Sequence, residues 1–198
     1  MNPLILQPIL HFTHTLVRQA FAQAPKDVPR FAIDVTVGNG HDTVFLAEHV
    51  GSKGCVVGCD VQTQALYTTT AVLQQKKISS RVQLHQISHD CLHTLLDPSW
   101  QGQVTAIMGN LGYLPRSDKS ILTRAETTIP MIETLLPYLR QHGIMAMVAY
   151  LGHEGGQAEA DAVNDYVKRL PMAEYRVLSY TFVNPSGVPP VLYAIEKV

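Results

Sequence analysis

The sequence predicts an α/β protein whose seven-stranded, mostly parallel sheet has an antiparallel last strand and helices on both faces. Short β-branched runs alternate with amphipathic helical patterns along most of the chain, which implies right-handed crossovers and a parallel sheet. Glycines and polar residues follow the ends of several of these runs. The last two runs are joined only by residues 184–190, and so short a connection forces an antiparallel pair.

The elements follow in order along the chain. After Pro8, Ile9, Phe12 and Leu16 recur at spacings of three and four, so the segment within residues 1–24 is predicted to be an amphipathic helix that covers the sheet. Further helices are predicted after residue 40 and over 64–77, 90–96, 127–141 and 154–170. Strands are predicted to begin at Phe31 and to span 55–60, 82–87, 104–108, 143–150, 175–183 and 191–197.

The composition describes one compact domain over residues 1–198. Hydrophobic residues make up 46% of the chain and charged residues 16%, and the formal net charge is −1. Such a charge exerts no global attraction on nucleic acid or membrane, so any polyanion must meet a local basic patch. The three cysteines match no metal or redox spacing. Because there is no apolar run long enough for a membrane span and no signal peptide pattern, we expect a cytoplasmic protein.

A glycine turn follows the first strand, in the segment F-A-I-D-V-T-V-G-N-G-H-D-T-V-F-L-A of residues 31–47. Gly38 and Gly40 allow a sharp turn and a close approach of a ligand to the backbone, and the start of the next helix offers N–H groups to it. Asp60 ends the second strand, where a carboxylate can accept both hydroxyls of a ribose. His89 and Asp90 end the third strand near the expected position of an adenine edge. Asp60 alone is equally compatible with a strand-end turn, and Asp90 with a helix cap.

Two features favour S-adenosylmethionine over a dinucleotide. The turn continues as His41-Asp42-Thr43 and lacks the third glycine of G-x-G-x-x-G, which a dehydrogenase needs beside the pyrophosphate. Asp34 and Asp42 place carboxylates near the ligand, where they would repel a pyrophosphate and attract the ammonium and sulfonium groups of the methyl donor. With the antiparallel last strand, this outline is that of the Rossmann-like class I methyltransferases.

The fourth strand ends in Asn110-Leu111-Gly112-Tyr113, which has the spacing of the N-P-P-Y motif of methyltransferases that act on amines. An asparagine oxygen can hold the hydrogens of an amine so that its lone pair faces the methyl group, and an aromatic ring can stack on the attached base. A strand-end turn with a core tyrosine is the alternative interpretation. Tyr150 and His153, after the fifth strand, should face the same crevice.

Basic residues cluster in the loop after this motif. Arg116, Lys119 and Arg124 are of the type that contacts RNA phosphates, although their charge is equally compatible with a solvated loop.

These motifs together resemble the YtqB or MnmM family over about residues 34–197. The resemblance rests on D-V-T-V-G-N-G-H-D-T-V-F-L-A, C-D-V-Q, S-H-D, N-L-G-Y-L-P, the T-T-I of 127–129, Y-L-G-H-E-G-G and P-P-V-L-Y-A-I-E-K, in the family's order and spacing. It implies an S-adenosylmethionine-dependent methyltransferase that acts on the tRNA anticodon stem-loop and converts the 5-aminomethyl group of a wobble uridine, commonly 2-thiolated, to 5-methylaminomethyl.

The same resemblance completes the expected site. Asn39, Thr43 and Gln62 join the cofactor-binding residues, with Asn39 and Asp34 near the amino-acid end of the donor. Asn110 would orient the amine, Tyr113 would hold the uracil, and the proton would pass to one of three candidate acceptors, namely Asp118, Tyr150 and His153.

The chain departs from the family pattern at four positions. The family usually has alanine at Val35, an aromatic residue at Gly109 and glycines at Arg116 and Ser117, and the last three positions are expected to lie on the substrate side. A methyltransferase for rRNA or a small amine, an NAD-dependent oxidoreductase and a non-catalytic RNA-binding module are the alternatives. No membrane partner is expected, and the apolar first helix is compatible with a homodimer.

Overall fold

The computed structural model describes residues 5–114 and 121–198, which form a seven-stranded sheet in the order β3-β2-β1-β4-β5-β7-β6. The strands are β1 (Phe31–Asp34), β2 (Cys55–Asp60), β3 (Val82–Gln86), β4 (Val104–Leu111), β5 (Leu139–Ala149), β6 (Tyr175–Tyr180) and β7 (Val191–Lys197). All pairs from β3 to β5 are parallel, and β7 is antiparallel to both β5 and β6. The predicted fold class is confirmed.

The strand order places the functional edge of the sheet. The chain runs outward from β1 to β3 and then crosses back to β4, so β1 and β4 are neighbours and their carboxyl ends lie side by side. In open α/β sheets, ligands bind at such a reversal point, outside the carboxyl ends of the strands.

Helices cover both faces of the sheet. They are α1 (Ile9–Gln23), α2 (His41–Val50), α3 (Thr63–Gln75), α4 (Ala125–Leu135) and α5 (Gly156–Val167). Small side chains such as Ala32, Ala106 and Ala146 belong to the core under α1, α2 and α3, where they leave room for α1 to lie close to β4 and β5. Their larger strand neighbours, among them Ile33 and Ile107, pack under α4 and α5. This alternation buries the central strands on both sides, whereas the edge strands β3 and β6 are partly exposed.

Some predicted boundaries are wrong. The helix expected to reach residue 141 ends at Leu135, because Pro137 has no N–H and its ring obstructs the preceding turn. A 3₁₀ turn follows, and β5 begins at Leu139 with an irregular register beside β4. The short helix expected at 90–96 is a 3₁₀ helix, His89–Leu95. Among the residues described, no helix combines the length and apolar character that crossing a bilayer requires.

Candidate active site

A cavity of about 1020 Å³ lies at the carboxyl ends of the parallel strands. Its wall is built from the segments that follow β1, β2, β3, β4 and β5, and Leu10 and His14 of α1 close one side. Ligand pockets for drug-sized molecules span roughly 300–1,000 Å³. The cavity therefore has room for a nucleoside-sized cofactor together with part of a second molecule.

Asp60 holds the glycine turn in place. Its Oδ2 accepts a hydrogen bond of 2.9 Å from the Gly38 N–H, and its Oδ1 accepts one of 2.9 Å from the N–H of Gln62, which precedes α3. Each carboxylate oxygen has a further lone pair, so Asp60, which lines the cavity, can still accept from ribose hydroxyls. Gly38, Asn39 and Gln62, which the sequence predicts to bind the cofactor, line the cavity beside it.

Gly40 is required for the shape of the turn. Its φ of +80° is strained for residues with a side chain, and a Cβ there would lie 2.6 Å from Oγ1 of Thr69. Gly40 itself is buried and does not line the cavity. Its contribution is therefore the turn and not a cofactor contact.

Asp34 and Thr43 are also placed away from the cavity wall. Both are fully buried; Thr43 Oγ1 donates to Asp34 Oδ2 over 2.5 Å, and the Thr36 N–H donates to Asp34 Oδ1 over 3.1 Å. Burial, with the charges of Asp42 and Asp60 adding to it, raises the pKa of Asp34 to about 7. The direct cofactor contacts predicted for Asp34 and Thr43 are not supported, because both side chains are used inside the turn.

Of the two residues expected near the adenine, His89 lines the cavity and Asp90 does not. His89 is buried at the cavity wall with its Nε2 3.0 Å from Thr127 Oγ1, and burial lowers its pKa, which favours the neutral ring. Asp90 does not line the cavity and accepts a hydrogen bond from the Ser88 hydroxyl. Asp90 thus supports the turn, and Ser88 and His89 face the cavity.

Asn110 lies at the cavity wall with one end of its amide fixed. Its Nδ2 donates to Asp42 Oδ2 over 2.7 Å, and its backbone N–H donates to Thr36 Oγ1 over 2.7 Å. The amide oxygen, Oδ1, is the acceptor that such an arrangement can offer to a ligand. The other oxygen of Asp42 lies 2.7 Å from Nε2 of His14. Sequence reasoning missed His14, because a lone histidine in an amphipathic helix carries no motif.

Tyr113 and Tyr150 are partly exposed aromatic residues at the same wall. Tyr113 contacts the His153 ring edge-to-face, with centroids 5.6 Å apart, and is 38% exposed. Burial and the charge of Asp42 raise the pKa of Tyr150, so its hydroxyl stays protonated and acts as a donor at neutral pH.

His153 is less accessible than its position in the sequence suggests. Its Nδ1 lies 3.0 Å from the Glu154 carbonyl, and a carbonyl only accepts, so Nδ1 carries the hydrogen. The Nε2 atom is buried, has no hydrogen-bond partner among the described residues 5–114 and 121–198, and is packed against the Gly112 and Gly156 backbone. A Cβ at Gly156 would come within 2.9 Å of it. A direct role as proton acceptor would require His153 to move.

The buried carboxylate of Glu159 is hydrogen-bonded to the segment that contains Asn110, Gly112 and Tyr113, through Thr123. Glu159 of α5 is 3% exposed and accepts from Thr123 Oγ1 over 2.8 Å and from Thr128 Oγ1 over 2.6 Å. Thr123 Oγ1 in turn accepts from the Gly112 N–H over 2.7 Å. This chain connects α5 to the N-L-G-Y segment, and nothing in the sequence around Glu159 signals it.

Of the predicted RNA-contacting residues, Arg124 is exposed at the cavity and immediately precedes α4. Arg116, Lys119 and Asp118 lie outside the described residues. Tyr113 and Leu122 form an antiparallel bridge, so the two ends of this loop are held together at the cavity.

Gly109 does not lie on the substrate side, where the sequence predicts it. It is buried in β4, and a Cβ there would lie 2.5 Å from Val35 Cγ2 and 2.6 Å from Met147 Cε. It therefore faces the core and not the substrate, which corrects the expectation. Val35, where the family usually has alanine, occupies the space that a larger residue at 109 would need, so the two departures compensate for each other.

Comparison with known proteins gives a consistent set of relatives. The model of a family described as "Putative rRNA methylase" matches residues 56–196. A relative from Arabidopsis thaliana, the chloroplastic tRNA (mnm(5)s(2)U34)-methyltransferase, is 28% identical over 173 aligned residues, and the match covers 83% of this chain and 62% of the relative. The chain thus spans less than two thirds of that relative's length.

Solved structures resemble the whole chain. A "putative rRNA-methylase" from Clostridium thermocellum is 34% identical with a TM-score of 0.89, and the match covers 98% of this chain and 100% of the other. A "putative methyltransferase" from Streptococcus mutans, in complex with SAH, is 33% identical with a TM-score of 0.83 and the same coverage.

Proposed function

We propose, since the chain belongs to the rRNA methylase family, that this methyltransferase acts on tRNA and converts the 5-aminomethyl group of a wobble (2-thio)uridine to 5-methylaminomethyl. The Arabidopsis relative, named as a methyltransferase of the modified uridine at position 34 of tRNA, supports this substrate. The family agrees with the resemblance noted in the sequence.

The cofactor is S-adenosylmethionine, as the SAH complex of the Streptococcus mutans relative supports. The cavity fits it, because Asp60 has acceptor capacity for ribose hydroxyls and Gly38 presents backbone with no side chain. Asp60, Gly38, Asn39, Gln62 and His89 are the cavity residues that would hold it. When bound, the cofactor supplies an electrophilic methyl group on a sulfonium.

The observation that carries the proposal is the fixed amide of Asn110. With Nδ2 held by Asp42, Oδ1 can accept an N–H of the substrate amine and direct its lone pair across the cavity. Tyr113, three residues on, exposes an aromatic ring at the same wall, where it can stack on the uracil. An amine carried on a nucleobase uses both groups.

The amine must be unprotonated, because only its lone pair attacks. An alkyl amine is mostly protonated at neutral pH, and an apolar surrounding disfavours its charged form. Leu10, Val35, Ile87 and Leu122 supply apolar groups in the wall, and these oppose the carboxylates of Asp42 and Asp60, which favour the charged form. The protonated Tyr150 and the enclosed His153 Nε2 are unsuited to receive the proton directly, so we expect it to leave to solvent as the amine docks.

Recognition of the RNA would rest on local charge. The chain has a net charge of −1, but Arg124 is exposed at the cavity, and Arg116 and Lys119 belong to the same loop in sequence. Phosphate contacts from such residues fix the register of an RNA without reading its bases.

The test is methylation in vitro with labelled S-adenosylmethionine. The substrate is tRNA carrying 5-aminomethyl-2-thiouridine, the control is the same tRNA without the modification, and two further arms use an rRNA fragment and a free alkyl amine. We expect label only in the modified tRNA, and nucleoside mass spectrometry should show one added methyl group. Label in rRNA or in the free amine, with none in the tRNA, would overturn the proposed substrate.

A further inference from the structure

We propose that His14 is a positioning residue of this site. Through Asp42, it holds the Asn110 amide in the orientation in which Oδ1 can accept an N–H of the substrate amine. The inference rests on the proposed function and extends it to α1. Three elements meet in the chain of hydrogen bonds: His14 from α1, Asp42 from α2 and Asn110 from β4.

The direction of each hydrogen bond follows from the carboxylate. An ionised carboxylate only accepts, so both groups that contact Asp42 must present N–H. Nε2 of His14 lies 2.7 Å from Oδ1, and Nδ2 of Asn110 lies 2.7 Å from Oδ2. Asp42 therefore accepts one hydrogen bond on each oxygen, and the two donors together fix the rotation of its carboxyl group.

The His14 ring is itself held in place. It stacks on the ring of Phe45, with centroids 3.9 Å apart and an interplanar angle of 6°, and Phe45 is buried. The Phe45 ring also contacts the Arg18 guanidinium, whose carbon lies 5.3 Å from the ring centroid. The stack on Phe45 therefore fixes the position of the His14 ring without help from its hydrogen bond to Asp42.

Loss of this donor would act on the substrate through the amide. If Oδ1 of Asp42 lost its partner, the carboxyl group could rotate or shift, and the Asn110 amide, which still donates to it, would move with it. The Asn110 Oδ1 would then be displaced from the position in which it accepts the N–H of the substrate amine. Misplacement of this kind lowers turnover more than it lowers binding.

The experiment compares four variants of the full chain with the wild-type protein. His14→Phe retains the aromatic stack but removes the donor, and His14→Gln places an amide N–H near the position of Nε2. His14→Asn is too short to reach Asp42 and serves as a second donor-removing variant. His49→Phe is the matched control, because His49 also packs on Phe45, with centroids 4.3 Å apart, but its Nδ1 lies at the Phe45 carbonyl of its own helix and not at a group of the site.

We expect kcat on the aminomethyl tRNA to fall about tenfold or more in His14→Phe and His14→Asn, because a small misplacement of a reacting group is costly. Binding of S-adenosylhomocysteine, measured by calorimetry, and KM for the tRNA should stay within about threefold. His14→Gln should recover most of kcat, and His49→Phe should leave it unchanged. Equal kcat values for the Phe and Gln variants, or a fall only in cofactor binding, would overturn the proposal.

A second readout does not depend on the substrate. In ¹⁵N-labelled protein saturated with S-adenosylhomocysteine, the side-chain amide signal of Asn110, assigned by its absence in Asn110→Ala, should shift in His14→Phe and return in His14→Gln. An unshifted signal overturns the proposal even if tRNA is methylated. If the wild-type protein methylates no aminomethyl tRNA, the proposed function fails, and the amide signal still decides the role of His14.

Discussion

The two sides of the cavity are held together in different ways. On the cofactor side, Asp60 accepts hydrogen bonds from the backbone N–H groups of Gly38 and Gln62, so neighbouring turns are tied by main chain. On the substrate side, Asn110 depends on a side chain of α2, and Gly112 is linked to α5 through Thr123. The cofactor side is therefore held by one side chain bonded to main-chain groups within 22 positions of it, whereas the substrate side depends on contacts between side chains that are up to 68 positions apart.

The largest effect should come from Asn110→Ala. Removal of the amide takes away the acceptor for the substrate amine and leaves Asp42 Oδ2 without its donor. We expect kcat on aminomethyl tRNA to fall by roughly 10²–10³, as for loss of one positioned group in an active site. Affinity for S-adenosylhomocysteine, measured by calorimetry, should stay within a few-fold. Equal losses in both quantities would mean that the two sides are not separate.

Glu159→Ala should weaken the substrate side through the fold. The change removes a buried carboxylate that accepts from Thr123 and Thr128, and part of the loss is offset because no buried charge remains to be desolvated. We expect the free energy of unfolding to fall by about 2–3 kcal/mol, measured by urea denaturation. The exposed Glu154 supplies the control, since Glu154→Ala should change it by less than about 0.5 kcal/mol.

Activity separates this prediction from simple destabilisation. At a temperature where Glu159→Ala is folded, kcat on tRNA should fall while affinity for S-adenosylhomocysteine is retained, because Gly112 lies on the substrate side. A variant that loses stability with unchanged kcat would show that the link from Glu159 to Gly112 does not position the site.

Asp60→Ala should affect the cofactor side. Loss of the carboxylate leaves the Gly38 and Gln62 N–H groups without their acceptor and removes the expected ribose contact. Affinity for S-adenosylhomocysteine should fall by roughly 10- to 100-fold, which is about 1.4–2.8 kcal/mol. Asp90→Ala is the comparison, since Asp90 does not line the cavity and should change the affinity less than about threefold. A larger loss for Asp90 would restore it as a cofactor contact.

The sequence predicts the fold well, for a physical reason, whereas four residues predicted to bind the cofactor do not line the cavity, namely Asp34, Gly40, Thr43 and Asp90. Strand periodicity, glycine turns and strand-end carboxylates are local signals, and they correctly indicate β1, β2 and the turn at Gly38 and Gly40. The end of α4 is misjudged, because its apolar pattern continues into the 3₁₀ turn at Leu136–Tyr138 and on into Leu139 of β5. In that region the helix and strand patterns overlap.

The substrate side is predicted only in part. Asn110 and Tyr113 are found from their spacing, but His14 and Glu159 act through contacts 28 and 31 positions away in the chain, with Asp42 and Thr128 respectively. No periodicity marks such contacts. Asp34 illustrates the converse error, because a carboxylate at a strand end was expected at the ligand and is enclosed in the turn.

Asp34 gives the smallest predicted effect, a pH dependence of stability on the cofactor side. Its pKa is raised to about 7 in the folded protein by burial and by Asp42 and Asp60, from 3.8 for a free carboxyl group. The native state therefore binds a proton that the unfolded chain releases, so the stabilisation is complete below about pH 4 and is lost as the pH rises through 7. Between pH 6 and 8 the loss should be about 1 kcal/mol.

Asp34→Asn isolates this contribution. The amide can accept from the Thr36 N–H and donate to Thr43 Oγ1, as a protonated carboxyl group does, so the variant should fold without the titration. The nine histidines are common to both proteins and cancel in the difference. Urea denaturation at pH 6 and pH 8 should show the wild type losing stability relative to Asp34→Asn as the pH rises. Parallel changes in the two proteins would mean that Asp34 is ionised throughout and that the region around it tolerates the three carboxylates of Asp34, Asp42 and Asp60.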